Sequence, residues 1–222
     1  MTTRGGFMER ILVTGFGPFG GDPVNPALEA VRQLEGRVAA GRLLVTRELP
    51  VVRGACIEAL ARHIREVDPV LVVAIGQAGG RLEITPERVA INVDDYRIPD
   101  NAGNQPTQDP VVAGGPAGYW STLPVKAMVA ALKAQGIPAS LSNSAGTFIC
   151  NHLFYGLMHL LAAEGGRRRG GFIHVPYLPE QAARVGGQPS MGLETLVRGL
   201  EIAVAAAAGH ATDIEAGAGT LS

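Results

Sequence analysis

The stretch Ala55-Cys-Ile-Glu-Ala-Leu-Ala-Arg-His-Ile-Arg-Glu-Val67, followed after Asp68-Pro69 by Val70-Leu-Val-Val-Ala-Ile75, decides the fold. In its first part Cys56, Ala59, Leu60, His63, Ile64 and Val67 recur at helical spacing, the pattern of an amphipathic helix. Its second part is a near-continuous apolar run, the pattern of a strand covered on both faces in a parallel sheet. The same alternation extends in both directions. Upstream, Ile11–Thr14 is a short apolar run ending in glycine, and Arg42–Leu49 is a strand closed by Pro50. Between them Asn25 and Pro26 supply a cap and a first helical residue for a helix over Ala27–Leu34 that stops at Gly36. Downstream, Ser121–Gln135 reads as a helix with Pro124 in its first turn, Ala139–Ser142 as a strand and Thr147–Ala162 as an apolar helix. Phe172–Val175 is then a strand and Met191–Ala208 an Ala-rich helix. Such alternation predicts an α/β fold: one domain over 1–222, a mostly parallel twisted sheet, helices on both faces, and a flexible tail over 210–222.

Composition agrees with one globular unit. The 222 residues fall near the upper end of the ~100–200 expected per domain. Charged residues are 18% and hydrophobic residues 46%, the reverse of a disordered chain. Lys+Arg total 19 against 20 Asp+Glu, so the net charge of −1 excludes a bulk basic field for nucleic acid. The longest unbroken apolar stretch, Ile202–Ala208, is far short of the ~18 residues of a membrane span. The N-terminal residues carry no apolar core of signal-peptide type, so a reducing cytoplasm is the expected setting. There, two cysteines are read as buried or catalytic rather than bridged.

In open α/β sheets, sites collect at the carboxyl ends of the strands, here after Thr14, Ile75, Val93, Ser142 and Ile173. Gly15-Phe-Gly-Pro-Phe-Gly20 has the form of a dinucleotide fingerprint, and nucleotide or nucleoside binding is the alternative it raises. Pro18, however, removes a donor from the loop, and the helix start waits until Asn25-Pro26. A tight turn lifting Phe16 and Phe19 into a pocket is the better reading. Cys56 lies on an apolar helix stripe and reads as a small buried hydrophobe. Cys150 falls in the first turn of a helix, where unpaired N–H groups and the dipole favour a thiolate, so it is the candidate nucleophile. Among five histidines, His63 and His210 lie elsewhere, and His152 and His159 share the Cys150 helix. Positions two apart do not face each other on a helix, so His152 is a poor partner for Cys150. His174, at the carboxyl end of a strand, is the candidate base. Glu83, Glu87, Asp94, Asp95, Asp100 and Asp109 are all available to orient it, and spacing does not choose among them. No histidine or cysteine pair has metal-ligand spacing, so no metal and no cofactor are expected. Ser144 lacks the Gly-x-Ser-x-Gly elbow of a serine nucleophile.

These residues sit in longer segments that resemble the pyroglutamyl peptidase I family of cytosolic cysteine peptidases. The segments are Val13-Thr-Gly-Phe-Gly-Pro-Phe-Gly-Gly21, Gly76-Gln-Ala-Gly-Gly-Arg81, Ile84-Thr-Pro-Glu-Arg-Val-Ala-Ile-Asn92 and Arg97-Ile-Pro-Asp-Asn-Ala-Gly-Asn104. Tyr119-Trp-Ser-Thr-Leu-Pro124, Ser144-Ala-Gly-Thr-Phe-Ile-Cys-Asn-His152 and Gly171-Phe-Ile-His-Val-Pro-Tyr177 complete a likeness running from about Ile11 to Ala208. The resemblance implies removal of N-terminal pyroglutamate from peptides through a thioester, with Cys150 as nucleophile, His174 as base and Glu87 as the orienting carboxylate. It implies Arg97 for oxyanion stabilisation, and a pocket from Phe16, Phe19, Asn25, Ile98, Phe148 and Ile149. It also implies a homo-oligomer, a tetramer, in the cytoplasm, with no nucleic-acid or membrane partner. Gly17 and Val51 depart from residues common at those positions, the first often larger and polar, the second threonine in some relatives.

Overall fold

The computed structural model describes residues 8–218. A six-stranded sheet forms its centre. Strands β1 (Arg10–Phe16), β2 (Val38–Ala39), β3 (Arg42–Leu49), β4 (Leu71–Gln77), β5 (Thr85–Pro86) and a late strand, Arg169–Val175, lie in the order β2-β3-β1-β4-late strand-β5. Two further strands, β6 (Val89–Ile91) and β7 (Gly118–Trp120), pair separately as an antiparallel ribbon, so the late strand is β8. The four inner strands β3, β1, β4 and β8 are parallel. The outer pairs, β2 with β3 and β5 with β8, are antiparallel, so the sheet is mixed rather than parallel throughout.

Six helices pack around this sheet among the described residues: α1 (Pro26–Arg32), α2 (Ala55–Val67), α3 (Val125–Ala134), α4 (Ile149–Ala163), α5 (Pro179–Val185) and α6 (Leu193–Gly209). The period of two along each inner strand divides the core. Ile11, Val13, Val73, Ile75 and Ile173 join α1, α3 and α6 in one layer. Leu12, Val72, Ala74 and Phe172 join α2 and α4 in the other. Covering both faces is what makes Val70–Ile75 read as unbroken apolar sequence.

Residues 139–142 do not form a strand of the main ladder. They run parallel to 84–87 and bridge only at Ile84–Ala139 and Glu87–Ser142. Their bonds proceed from Ile84 N to Pro138 O, Ser142 N to Pro86 O and Arg88 N to Ser142 O. The missing member is the one Pro86 would donate, having no N–H. Past α6 the chain turns back: Asp213 accepts hydrogen bonds from the N–H groups of Lys126 (3.1 Å) and Ala127 (3.0 Å), at the start of α3. None of the helices among the described residues is long and apolar enough to cross a membrane.

Candidate active site

Three carboxyl ends of the sheet and the start of α4 meet around a cleft of about 490 Å³. Cys150 and His174 line it together with Phe16, Phe19, Val51, Arg97, Phe148 and Ile149. A larger cleft of about 620 Å³, between Trp120 and Asp213, contains neither cysteine nor histidine and so has no thiol–base pair to offer.

Each group reaches the 490 Å³ cleft for a local reason. Gly146 takes a positive φ of 76°, which turns the chain toward α4 at little steric cost. Cys150 is then the second residue of α4, and the cap position, Phe148, gives no side-chain bond to the first turn. The N–H groups of that turn, which have no intrahelical acceptor, are available to an anion. His174 is near the carboxyl end of β8 and is paired in register with Gly76 of β4. Gly76 faces the sulfur: a Cβ there would lie 2.9 Å from Cys150 Sγ. Cys150 and His174 thus flank one pair of neighbouring backbone positions.

The carboxylate follows from strand register. Thr85 stands opposite His174, and Pro86 opposite Ile173, in the antiparallel β5–β8 pair. The N–H of Glu87 continues that pairing to Phe172 O at 2.9 Å. Glu87 is fully buried, and its Oε1 lies 2.7 Å from His174 Nδ1. A proton on Nδ1 directed at Glu87 leaves Nε2 as the basic nitrogen of the neutral ring. Of the six carboxylates that spacing left open, Glu87 is the one that meets this imidazole. Asp94 instead serves a second pair: its Oδ2 is 2.8 Å from His152 Nδ1 and accepts from Arg53 Nε at 2.8 Å. His152 Nε2 accepts from Gly54 N–H at 2.9 Å, so this histidine faces α2 and the 94–109 loop rather than the thiol.

Arg81 belongs to the site although neither periodicity nor the resemblance assigns it a role. Its guanidinium donates to Glu87 Oε1 at 2.7 Å, to Thr85 Oγ1, and to the carbonyl of Ser144 at 2.9 Å. Its signal in the sequence is that it closes the Gly76–Arg81 segment, in the loop that follows β4.

Electrostatics adds a correction. A helix start favours the thiolate, yet burial, followed by the charge of Glu87, pushes the Cys150 thiol up to about 12, with Arg81 opposing. Burial also lowers His174 below the usual imidazole value, against the pull of Glu87 and with a further push from Arg81. Both shifts favour the uncharged forms, the thiol of Cys150 and the neutral imidazole of His174. Cys56 is fully enclosed, and burial raises its thiol well beyond the ordinary range.

The pocket residues separate into two groups. Phe16, Phe19, Asn25, Phe148 and Ile149 line the cleft that holds Cys150. Asn25 spends both ends of its amide on the backbone, accepting from Ala27 N–H and donating to Gly17 O, each at 3.0 Å. It caps α1 and fixes the loop that carries the two phenylalanines. Arg97 is exposed and lines this cleft and an adjoining one of about 540 Å³, whereas Ile98 lines the adjoining one. Among the described residues no group of three or more His, Cys, Asp or Glu is arranged to hold a metal ion. The Gly15–Gly20 loop does not open a helix, since α1 begins at Pro26.

Comparison with known proteins gives one answer. The family model described as pyroglutamyl peptidase matches residues 9–210. The pyrrolidone-carboxylate peptidase of Cupriavidus taiwanensis is 56% identical over 96% of this chain and 100% of its own. That of Brevibacillus brevis is 56% identical over 97% of this chain and 100% of its own. Among solved structures, Bacillus amyloliquefaciens pyroglutamyl peptidase I superposes with a TM-score of 0.92 at 47% identity, covering 95% of this chain and 100% of that one. Thermococcus litoralis pyrrolidone carboxyl peptidase gives 0.90 at 36% identity, covering 95% and 100%.

Proposed function

The chain belongs to the pyroglutamyl peptidase family, and from that membership and the geometry of the cleft we propose how its residues carry out the hydrolysis. It is a cysteine peptidase acting on N-terminal pyroglutamyl residues; the nucleotide-binding alternative finds no support. The observation that carries the residue assignment is the 2.7 Å contact between Glu87 and His174, on the same cleft as Cys150.

His174 Nε2 takes the Cys150 proton as sulfur attacks the pyroglutamyl carbonyl carbon. The carbonyl oxygen becomes an oxyanion facing the first-turn N–H groups of α4 and the Arg97 guanidinium. Donors of this kind are worth ~10²–10³ in rate each. The tetrahedral species collapses as the imidazolium protonates the leaving amine, and a thioester remains on Cys150. Water, deprotonated by His174, cleaves the thioester, releasing pyroglutamate and restoring the thiol. Glu87 holds the ring and balances the transient imidazolium.

Selectivity has a simple physical source. The pyroglutamyl ring is flat and neutral, and Phe16, Phe19 and Phe148 offer it aromatic surface. A free N-terminal residue would bring an ammonium into the same slot without a counter-charge, at a cost of several kcal/mol. Proline matches the ring shape without the lactam carbonyl, leaving a pocket donor unpaired at ~1–3 kcal/mol. This reading includes a homotetramer in the cytoplasm, as the family resemblance implies; sedimentation of the purified chain tests the assembly.

The decisive experiment incubates reduced protein with a pyroglutamyl-linked fluorogenic amide and its prolyl counterpart, with and without iodoacetamide. Release from the pyroglutamyl compound alone, blocked by alkylation, is the expected result. Release that survives alkylation of Cys150 would remove the nucleophile assignment.

A further inference from the structure

The orienting carboxylate is shared. Glu87 Oε1 receives both His174 Nδ1–H and the Arg81 guanidinium, each at 2.7 Å, while Glu87 Oε2 is buried without a partner. A carboxylate with no exposure needs a compensating charge close by. If the imidazole alone supplied it, His174 would be drawn toward the imidazolium and could not start the reaction as a base. Arg81 meets that need at the same oxygen, and its second nitrogen grips the Ser144 carbonyl in the segment leading into α4.

We propose that Arg81 is a positioning residue of this site: by compensating Glu87 it keeps His174 unprotonated at Nε2, and by holding Ser144 it ties the carboxylate to the segment that carries Cys150. The inference rests on the assignment of Glu87, Cys150 and His174 given above. The charged and titratable groups around His174 come from four places. Glu87 follows β5, Arg81 stands in the loop after β4, Cys150 lies in the first turn of α4, and Arg97 lines the same cleft. The Phe172 ring, 4.9 Å from the imidazole, supplies no charge. Arg81 is the one cation among them that shares the carboxylate oxygen bound by the imidazole. The electrostatic balance agrees in direction: burial lowers His174 most, Glu87 works against it, and Arg81 adds to the lowering.

The test is the acid limb of kcat/KM for a pyroglutamyl amide, with NMR titration of His174 in the free protein beside it. For Arg81→Met, both are expected to move upward by about one pH unit, a tenfold loss of kcat/KM below the limb. Arg81→Lys, which keeps the charge but loses the fork, should retain the wild-type limb while kcat falls. An unmoved limb and imidazole titration in Arg81→Met would overturn the proposal, as would an equal upward shift in Arg81→Lys. If Arg81→Met does not fold, the double variant Arg81→Met/Glu87→Gln decides. Compensation predicts that removing both charges restores folding, and continued failure of the double variant overturns it. The NMR titration needs no turnover, so an absence of peptidase activity would count against the proposed function and not against this inference.

Discussion

Gly76 and Cys150 divide one small volume between them. A Cβ at Gly76 would come within 2.9 Å of the Cys150 sulfur and 2.6 Å of Cζ of Phe172, distances no ordinary packing allows. The Cys150 sulfur therefore occupies the space that a missing side chain on β4 leaves free. Gly76→Ala should lower kcat/KM at least tenfold and cost ~1–3 kcal/mol of stability through overpacking. Gly209→Ala, where a Cβ meets nothing within 4 Å, should leave kcat/KM unchanged. Steady-state kinetics and urea melts of the two variants check the contrast.

The two cysteines should behave oppositely. Cys150→Ala is expected to abolish turnover, while Cys56→Ala, deep in the α2–α4 layer, should retain it and lose ~1 kcal/mol of stability. Equal losses of activity would reject the assignment of Cys150.

Glu87→Gln keeps the shape of the side chain and removes the charge that holds the Nδ1 proton of His174. A fall in kcat of about 10³–10⁴, with KM nearly constant, is expected from the loss of tautomer control. A change confined to KM would place Glu87 outside the chemistry.

The pH dependence of stability has two limbs with worked signs. His174 is lowered by burial below its usual 6.5, so at acid pH the unfolded chain binds the proton more readily than the folded one. Stability contributed there is intact above pH 6.5 and is lost as the pH falls toward the folded value. Cys150 is raised from 9.0 to about 12, so above pH 9 the unfolded thiol ionises first and stability falls as the pH climbs. Urea midpoints for Cys150→Ala should recover about 1 kcal/mol of the alkaline loss at around pH 10. An alkaline limb identical in the wild type and the variant would contradict this.

Asn25→Ala removes the α1 cap and the tie to Gly17 together. It should cost ~0.5–2 kcal/mol and raise KM severalfold through movement of Phe16 and Phe19, with a smaller effect on kcat. Thermal melts and kinetics on the pyroglutamyl amide measure both.

Much of this was legible in the linear chain because it is written in periodicity. The unbroken apolar runs Ile11–Val13 and Val70–Ile75 report a sheet buried on both faces, and the spacing from Cys56 to Val67 reports α2 at its observed limits. The argument that His152 cannot turn to Cys150 also holds, since helix geometry sends it to Asp94. What stays hidden is long-range and short in sequence. β5 is two residues long and contains a proline, so no window of propensity detects it. Spacing does not choose Glu87 over five other carboxylates, because the choice lies in the β5–β8 register; in the sequence only the family resemblance points to it. Arg81 lies in a Gly-rich loop, and only the folded chain shows that it meets Glu87 and Ser144. Chain periodicity likewise cannot announce that burial and the charge of Glu87 push the Cys150 thiol up, against the pull of the helix start.

The hydrogen bond from Glu87 N to Phe172 O gives this site its own gauge of integrity. This bond closes the short β5–β8 pairing that brings Glu87 to His174, so the event that parts β5 from β8 also separates the two side chains. Deuterium uptake at the single amide of Glu87 therefore clocks the same opening that silences the enzyme. On gentle warming, loss of activity should run parallel to exchange at that amide and ahead of exchange in β1 and β4, whose partners lie on both sides in the middle of the sheet.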